Sequence, residues 1–527
     1  MYFDGGKRMR KGFVKKAAVL VCCCTAFAVL GCSGKGEGDA LKIVMTFPDN
    51  ATLPFRSDWL TVRTIEEKYN IQIEWEVVPI ADYQTKISAS LNTGIGAPDV
   101  ILYQSISGEN ISLAMNGAIV PISDYSEWTP NWNSWVEKFG LGQEVDDLCL
   151  LDGKLYSLPS LYDESFYDGG LLLRDDVVEA YGFAPPQTFE DLYAILKAYK
   201  NDNPSSYPMT ILAGPRVHYR MTQPAWGISV HLNGAGGSRV LSWDYDARRF
   251  FDGATSERYR EYMRFWNRLF AEGLLDPEMA DPISGEVWTR KLATGSAIAT
   301  YAYYDQIGGV TAASSIPGFK LNMYPPLAGP VGAHHQQKNR TGAGIVFPAG
   351  TSKRADFERI VRTVDEMFFS QEAARIWSLG VEGETYTMEN GEIKFSDSIL
   401  ESPDGVFKVM QLRYGAGVDP TQLVWINDEL LTKFPKDFAE INMRVSQMPD
   451  AIQYIPPTPL FSNVDDGERA TSLIGPLFNT FLVWDDAFLT GTKSLDTDWN
   501  AYVQEMNARG MQELLALYNS NVRTGSN

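Results

Sequence analysis

Between residues 42 and 103 the chain alternates strand and helix, and that order admits few architectures. Lys42 to Thr46 reads as a strand around Ile43-Val44-Met45, and Thr61 to Tyr69 as a helix with Glu66, Glu67 and Lys68 on its wet face. Ile71 to Val78 alternates, with Ile71, Ile73, Trp75 and Val77 on one side and Gln72, Glu74 and Glu76 on the other. Tyr83 to Leu91 reads as a second helix, and Asp99 to Tyr103 as a third strand entered through Gly94-Ile95-Gly96-Ala97-Pro98. A βαβαβ order predicts a parallel sheet covered by helices, because parallel neighbours need a crossover and not a tight turn. Ligands of such sheets sit beyond the carboxyl ends of the strands. Phe47 and Asp49 after the first strand, and Tyr103, Gln104 and Ser105 at the end of the third, are therefore expected to face a crevice.

The chain ahead of this unit is read as an address. Lys7, Arg8, Arg10, Lys11, Lys15 and Lys16 form a basic region, and Ala17 to Gly31 is an apolar run too short for a comfortable membrane span. Val29-Leu30-Gly31-Cys32 resembles a bacterial lipobox, so residues 1–31 are expected to be a signal peptide and Cys32 the site of lipid attachment. Ser33 to Asp39 is Gly-rich and polar, the composition of a flexible tether over 32–40. Multiple acyl chains anchor stably, so the body is expected outside the cytoplasm, in the periplasm or at the cell surface, held to the membrane by lipid alone. Four of the five cysteines lie in this region, which leaves Cys149 as a core thiol with no disulfide partner among the later residues.

Charge narrows the function. Lys and Arg total 46 against 66 Asp and Glu, a net charge of −20, and loss of six basic residues and Asp4 with residues 1–31 takes it to −25. Such a surface does not suit nucleic acid. No G-x-S-x-G, H-E-x-x-H or P-loop motif occurs, and the histidines His218, His231, His334 and His335 lack zinc-site spacing. Neither a cofactor nor a metal is expected, and no catalytic residue is assigned. Asp163-Glu164 and Asp175-Asp176 could serve a glycosidase only if folding set two carboxylates at the required separation.

A second α/β unit starts at Gly169-Gly170-Leu171-Leu172-Leu173-Arg174. Thr188 is placed to cap a helix that carries Glu190 and Asp191 in its first turn. Asp252 to Ala271 is amphipathic, with Tyr259, Met263, Trp266 and Phe270 on one face, so Trp266 reads as core. Trp128, Trp132 and Trp135 also share a helical face and read as packing.

Seven passages carry a wider resemblance. They are Gly96-Ala97-Pro98-Asp99-Val100 followed by Asn116 to Ile122; Asp152-Gly153-Lys154-Leu155-Tyr156-Ser157-Leu158-Pro159; Leu173 to Asp176; Pro186 to Leu192; Glu272 to Glu278; Gly380 to Tyr386; and Trp499 to Val503. In this order they resemble the bacterial extracellular solute-binding proteins of ABC transporters, in particular the long lipoproteins of the family 1, oligosaccharide type. The resemblance implies an α/β fold of two lobes, each a mixed, mostly parallel sheet flanked by helices, with ligand captured between them. It puts lobe one at 41–159 and 345–398 and lobe two at 165–342 and 399–527, with crossings near 158–170, 341–347 and 399–406. It also implies a monomer that hands its ligand to ABC permease subunits. Alginate-binding members carry a calcium loop after the helix that here ends near Lys200, but Asn201 to Tyr207 lacks the alternating oxygen ligands, and no calcium is expected there.

Sugar rings stack their C–H faces on aromatic planes, while their hydroxyls need polar partners. Trp226, in a loop after Pro224, and Tyr301, Tyr303 and Tyr304 are the candidates on lobe two, with Tyr301 and Tyr303 on one side of a strand and Tyr304 on the other. Glu382 and Tyr386 join Phe47, Asp49, Tyr103 and Gln104 on lobe one, mainly by the resemblance. The expected function is capture of a carbohydrate, an oligosaccharide, for ABC transport. A ligand-presenting sensor or surface-binding protein of the same fold is the alternative, and a glycoside-active enzyme the remote one.

Overall fold

The computed structural model describes residues 40–521 except 51–52, 107–108, 151, 213–218, 231–239, 281–284, 337–338, 403–404, 435, 449–460 and 462–463. The expected signal peptide, Cys32, His218 and His231 lie outside the described residues.

Strand β1 (Leu41–Asp49) buries Leu41, Ile43, Met45 and Phe47, and helix α1 (Leu60–Tyr69) covers it with Thr61, Val62 and Ile65. Strand β2 (Ile71–Pro79) returns parallel to β1, in register from Leu41 opposite Ile71 to Asp49 opposite Pro79. Helix α2 (Ile80–Thr93) buries Tyr83, Ile87 and Leu91, and β3 (Val100–Gln104) lies parallel to β1 on its other side. The parallel βαβαβ unit is thus present. Helices α3 (Glu109–Met115) and α4 (Pro130–Phe139) follow, then β4 (Leu158–Tyr162).

The chain then leaves this body. Strand β5 (Gly169–Arg174) leads to α5 (Phe189–Asp202), whose capping box joins the Thr188 hydroxyl to the Asp191 N–H and the Asp191 carboxylate to the Thr188 N–H. After the turn α6 (Tyr219–Thr222) come the hairpin β6 (Ser242–Asp244) and β7 (Arg249–Phe251), helix α7 (Glu257–Ala271), and strands β8 (Ala299–Tyr303) and β9 (Leu321–Met323). β8 and β9 flank β5, both antiparallel to it. A long excursion separates β5 from β8, and one eight-residue helix (Gln306–Ala313) carries the chain from β8 to β9 on the far side of β5, so every neighbouring pair here is antiparallel and this smaller sheet departs from the mostly parallel expectation.

Strand β10 (Thr341–Val346) returns to the first sheet, followed by α8 (Phe357–Phe369), α9 (Gln371–Leu379) and the hairpin β11 (Tyr386–Glu389) and β12 (Glu392–Phe395). Strand β13 (Val424–Trp425) precedes α10 (Asn427–Leu431), and α11 (Val464–Thr490) and α12 (Trp499–Ala508) follow. The first sheet is six strands in the order β13-β4-β10-β3-β1-β2.

The buried side chains form separate cores. One holds β1, β3, α8 and α9 together, from Leu41 to Leu161 and from Ile345 to Val424. Another gathers Leu171, Leu173, Trp226, Trp266 and Tyr301 with Phe481, Trp499 and Tyr502 from the C-terminal helices. A third takes the opposite face of β5 and β8, where Leu172, Ala302 and Tyr304 meet Trp425, Leu430, Phe438 and Ile441. Burial on both faces explains the uninterrupted apolar run of β5.

The core changes between Leu161 and Tyr162 and again between Val424 and Trp425. Ile399 and the residues from Val409 to Leu423, expected with the second lobe, pack instead with the first body. Ile399, Val409, Met410 and Ala416 cluster with Leu379, Tyr386 and Phe395. The Trp59 indole donates to Leu412 O at 3.1 Å and the Thr61 hydroxyl to Tyr414 O at 3.0 Å. Gly415, at φ 72°, permits this approach, since a Cβ there would lie 2.6 Å from the Trp59 ring.

Candidate functional site

Three adjacent strands of the first sheet carry the chain between the two bodies. β10 is antiparallel to both β3 and β4, so β3, β1, β2, β4 and β13 all point their carboxyl ends the same way, toward the second body. Tyr162 at the end of β4 stacks on Trp425 at the end of β13, with ring centroids 5.4 Å apart and planes within 10°. Asp163 joins all three passages: its N–H donates to Trp425 O at 3.1 Å, its carboxylate accepts from the Asn427 N–H at 2.9 and 3.0 Å, and its carbonyl accepts from Arg340 at 2.9 Å. Arg340 also donates to Phe139 O at the end of α4 and pairs with Glu144 at 3.0 Å. Burial pushes the Asp163 carboxyl pKa upward while the Asn427 N–H opposes it.

On the second body, β5 begins at Gly169, close after Tyr162, and Gly169 pairs with Tyr303 at the end of β8. The ends of β1 and β3 thus lie on the side of the first sheet from which β4 leaves it, and the end of β8 pairs with the start of β5 where the chain enters the second body.

Each expected ligand residue has a definite place. Tyr103 keeps its ring 37% exposed and its backbone in the left-handed region at φ 56°, a strained position for a residue with a Cβ. Gln104 is buried. Its Oε1 accepts from Asn110 Nδ2 at 3.2 Å, Asn110 also donates to Ser105 O, and Asn110 Oδ1 accepts from Gln84. The amide chain thus runs from Gln84 through Asn110 to the buried Gln104. Asp49 accepts from the Phe55 N–H at 2.8 Å and closes its own loop. Phe47 is core, with Phe55 at 4.6 Å and Trp59 and Trp75 each at 6.2 Å.

The lobe-two expectations need larger corrections. Trp226 lies in a helical turn (Gln223–Trp226), not an open loop, is 5% exposed, and is packed by Phe189 at 4.6 Å, Tyr262 at 5.2 Å and Phe265 at 5.9 Å. Tyr301 is buried against Trp266, and Tyr304 against Phe434 and Phe438. Tyr303 is 38% exposed, with the Arg220 guanidinium over its ring at 5.2 Å. Sequence reasoning passed over Arg220, because only the fold brings α6 to the end of β8.

Glu382 is exposed and Tyr386 buried at the β11–β12 hairpin. That hairpin borders a cavity of about 540 Å³ whose walls include Trp135, Lys138, Arg375, Met388, Ile393 and Glu429. Arg375 pairs with Glu429 at 3.5 Å, and the buried Lys433 donates to Ser378 Oγ at 3.2 Å. Burial pushes the Glu429 pKa up and pulls the Lys433 pKa down to about 8. Among the described residues no group of three His, Cys, Asp or Glu side chains is gathered as a metal site would require. No described helix is long and apolar enough to cross a membrane.

Comparison with known proteins gives the family and the fold. A family model described as bacterial extracellular solute-binding protein matches residues 61–356. The chain is similar to the polygalacturonan/rhamnogalacturonan-binding protein YtcQ of Bacillus subtilis (strain 168), 21% identical over 394 residues, covering 73% of this chain and 74% of that protein. It is 22% identical to the fructooligosaccharide ABC transporter substrate-binding protein FusA of Streptococcus pneumoniae serotype 4, across 96% of this chain and 97% of that one. Among solved structures, the alginate-binding protein AlgQ2 superposes with a TM-score of 0.72 at 19% identity, covering 92% of this chain and 98% of that chain. The fold is the two-lobe α/β fold of these neighbours. With the family model spanning more than half its length, the chain belongs to the bacterial extracellular solute-binding proteins.

Proposed function

We propose that the protein is a lipid-anchored, extracytoplasmic receptor that captures an oligosaccharide between its two lobes and delivers it to an ABC permease. The observation that supports this reading is that Tyr103, at the end of β3, and Tyr303, at the end of β8 beside the start of β5, are both exposed at strand ends near the crossings, so that a gap between the bodies would have an aromatic face on either side. Aromatic faces on both sides suit a sugar ring, and the relatives, named as binders of polygalacturonan, fructooligosaccharide and alginate, support the substrate class. Lobe one is then 41–161 with 345–424, and lobe two 165–340 with 427–521. The three passages through β4, β10 and β13 form the hinge, and Asp163, Arg340 and Asn427 link its strands. A ligand touching both lobes binds the closed state better and shifts the population toward it. The protein acts as a monomer, without catalysis, and is held to the membrane through Cys32.

Titration calorimetry against a glycan panel tests the reading. Saturable binding of an oligosaccharide is expected, with Tyr303→Ala weakening it by about 1–3 kcal/mol. A peptide retained through purification, or no oligosaccharide bound, would overturn it. Metabolic labelling with palmitate is expected to mark the wild-type chain and not Cys32→Ser.

A further inference from the structure

We infer that the ligand is an acidic oligosaccharide and that Arg220 binds a uronate carboxylate on it; this rests on the proposal that the gap holds an oligosaccharide. Arg220 is half-buried on a turn whose other side chains are fixed in the interior. The Tyr219 hydroxyl donates to the buried Asp485 carboxylate at 2.8 and 3.0 Å, and the Thr222 and Tyr262 hydroxyls share a hydrogen bond of 2.9 Å. Met221 packs at Gly169, where a Cβ would come within 2.6 Å of the Met221 methyl and 3.3 Å of the Tyr303 ring. The turn and the ring are thus held together at the strand ends, and the guanidinium lies over the ring.

The guanidinium itself is unpaired. Among the described residues Arg220 makes no hydrogen bond or ion pair, although the chain carries an excess of carboxylates. Arginines with structural roles behave differently: Arg174 is paired with Asp176, Arg340 with Glu144, and Arg354 with Asp99 and Asp356.

The chemistry of the group selects its partner. A guanidinium offers five N–H donors in a planar fork and no acceptor. A neutral sugar hydroxyl both donates and accepts, so it uses such a group poorly. A carboxylate is acceptor-only and planar, matches the fork in a bidentate pair, and supplies the charge that a half-buried arginine lacks. Stacking on Tyr303 holds one face of the guanidinium and leaves its edge for the ligand.

Calorimetry with the full chain separates this inference from the function it rests on. The probes are tetrasaccharides of galacturonate, mannuronate and glucuronate, each paired with its carboxyl-reduced neutral counterpart, and one sulfated neutral tetrasaccharide. Wild type is expected to bind at least one uronate about tenfold tighter than its reduced partner, with the preference shrinking as salt is raised. Arg220→Gln is expected to abolish that preference while still binding the reduced sugar, and Arg220→Lys to retain part of it. Equal or tighter binding of the reduced sugars, an undiminished preference in Arg220→Gln, or tightest binding of the sulfated sugar would overturn the inference. The wild-type comparison stands even if a variant fails to fold. Binding of no sugar, acidic or neutral, would instead remove the oligosaccharide reading itself.

Discussion

The two sides of the proposed gap are built by different means. On lobe one Tyr103 is backed by hydrogen bonds: Gln84, Asn110 and Gln104 form an amide chain, the buried Thr46 and Tyr83 hydroxyls lie 2.7 Å apart, and Tyr83 donates to Leu102 O at 2.6 Å. On lobe two the rim is aromatic and packed: Tyr303 stands above a core in which Trp226, Phe189, Tyr262, Phe265 and Trp266 interlock. Hydrogen bonds fix direction at modest net energy, whereas buried aromatics fix position through large apolar contact. Lobe one therefore depends behind its tyrosine on directed contacts and lobe two on packing, so equal truncations should cost unequal stability.

The largest effect is expected at Trp226. Trp226→Ala removes a buried indole and should lower unfolding stability by about 3–5 kcal/mol, read by denaturant titration. A stable variant that lost only ligand affinity would return Trp226 to the gap and break the contrast. Next comes Asn110→Ala, which strands Gln104 and Ser105 O; a loss of about 1–3 kcal/mol is expected. Tyr103→Gly is expected to go the other way in part. Relief of the left-handed strain offsets the entropy of the added glycine, so stability should change by less than about 1 kcal/mol while affinity falls. A loss of several kcal/mol there would make Tyr103 a packing residue.

The smallest effect is a pH slope. The folded-state pKa of Lys433, about 8, lies below its unfolded value of 10.5, so the folded chain binds the proton less well. Its contribution to stability is fully present above 10.5 and is lost as pH falls through about 8. Stability should therefore rise with pH across that window, and Lys433→Met should flatten the slope in melts across it.

What was legible in the sequence follows the same divide. The lobe-one rim comes from a local βαβαβ unit, so alternation and crossover geometry located Asp49, Tyr103 and Gln104 at strand ends. The Thr188 cap was legible for the same reason, since its partner Asp191 is in the next turn. The lobe-two rim was not. β5, β8 and α6 meet only through tertiary packing, and the partners that bury Trp226 come from α5 and α7, while Pro224 and Gly227 gave the local signature of an open turn. Alternation correctly put Tyr301 and Tyr303 on one side of β8 and Tyr304 on the other, but it could not tell which of them is covered by Trp266 and which lies beside Arg220. The third crossing proposed at β13 differs from the one expected near 399–406 because the contacts of Leu412 and Tyr414 with Trp59 and Thr61 join distant segments.

The central claim is that an oligosaccharide is captured by closure of two lobes about the β4, β10 and β13 strands. Small-angle X-ray scattering during a titration with the tightest-binding oligosaccharide tests it directly. The account predicts that the radius of gyration falls and saturates at the same stoichiometry as binding. Saturating ligand with an unchanged radius of gyration would contradict it.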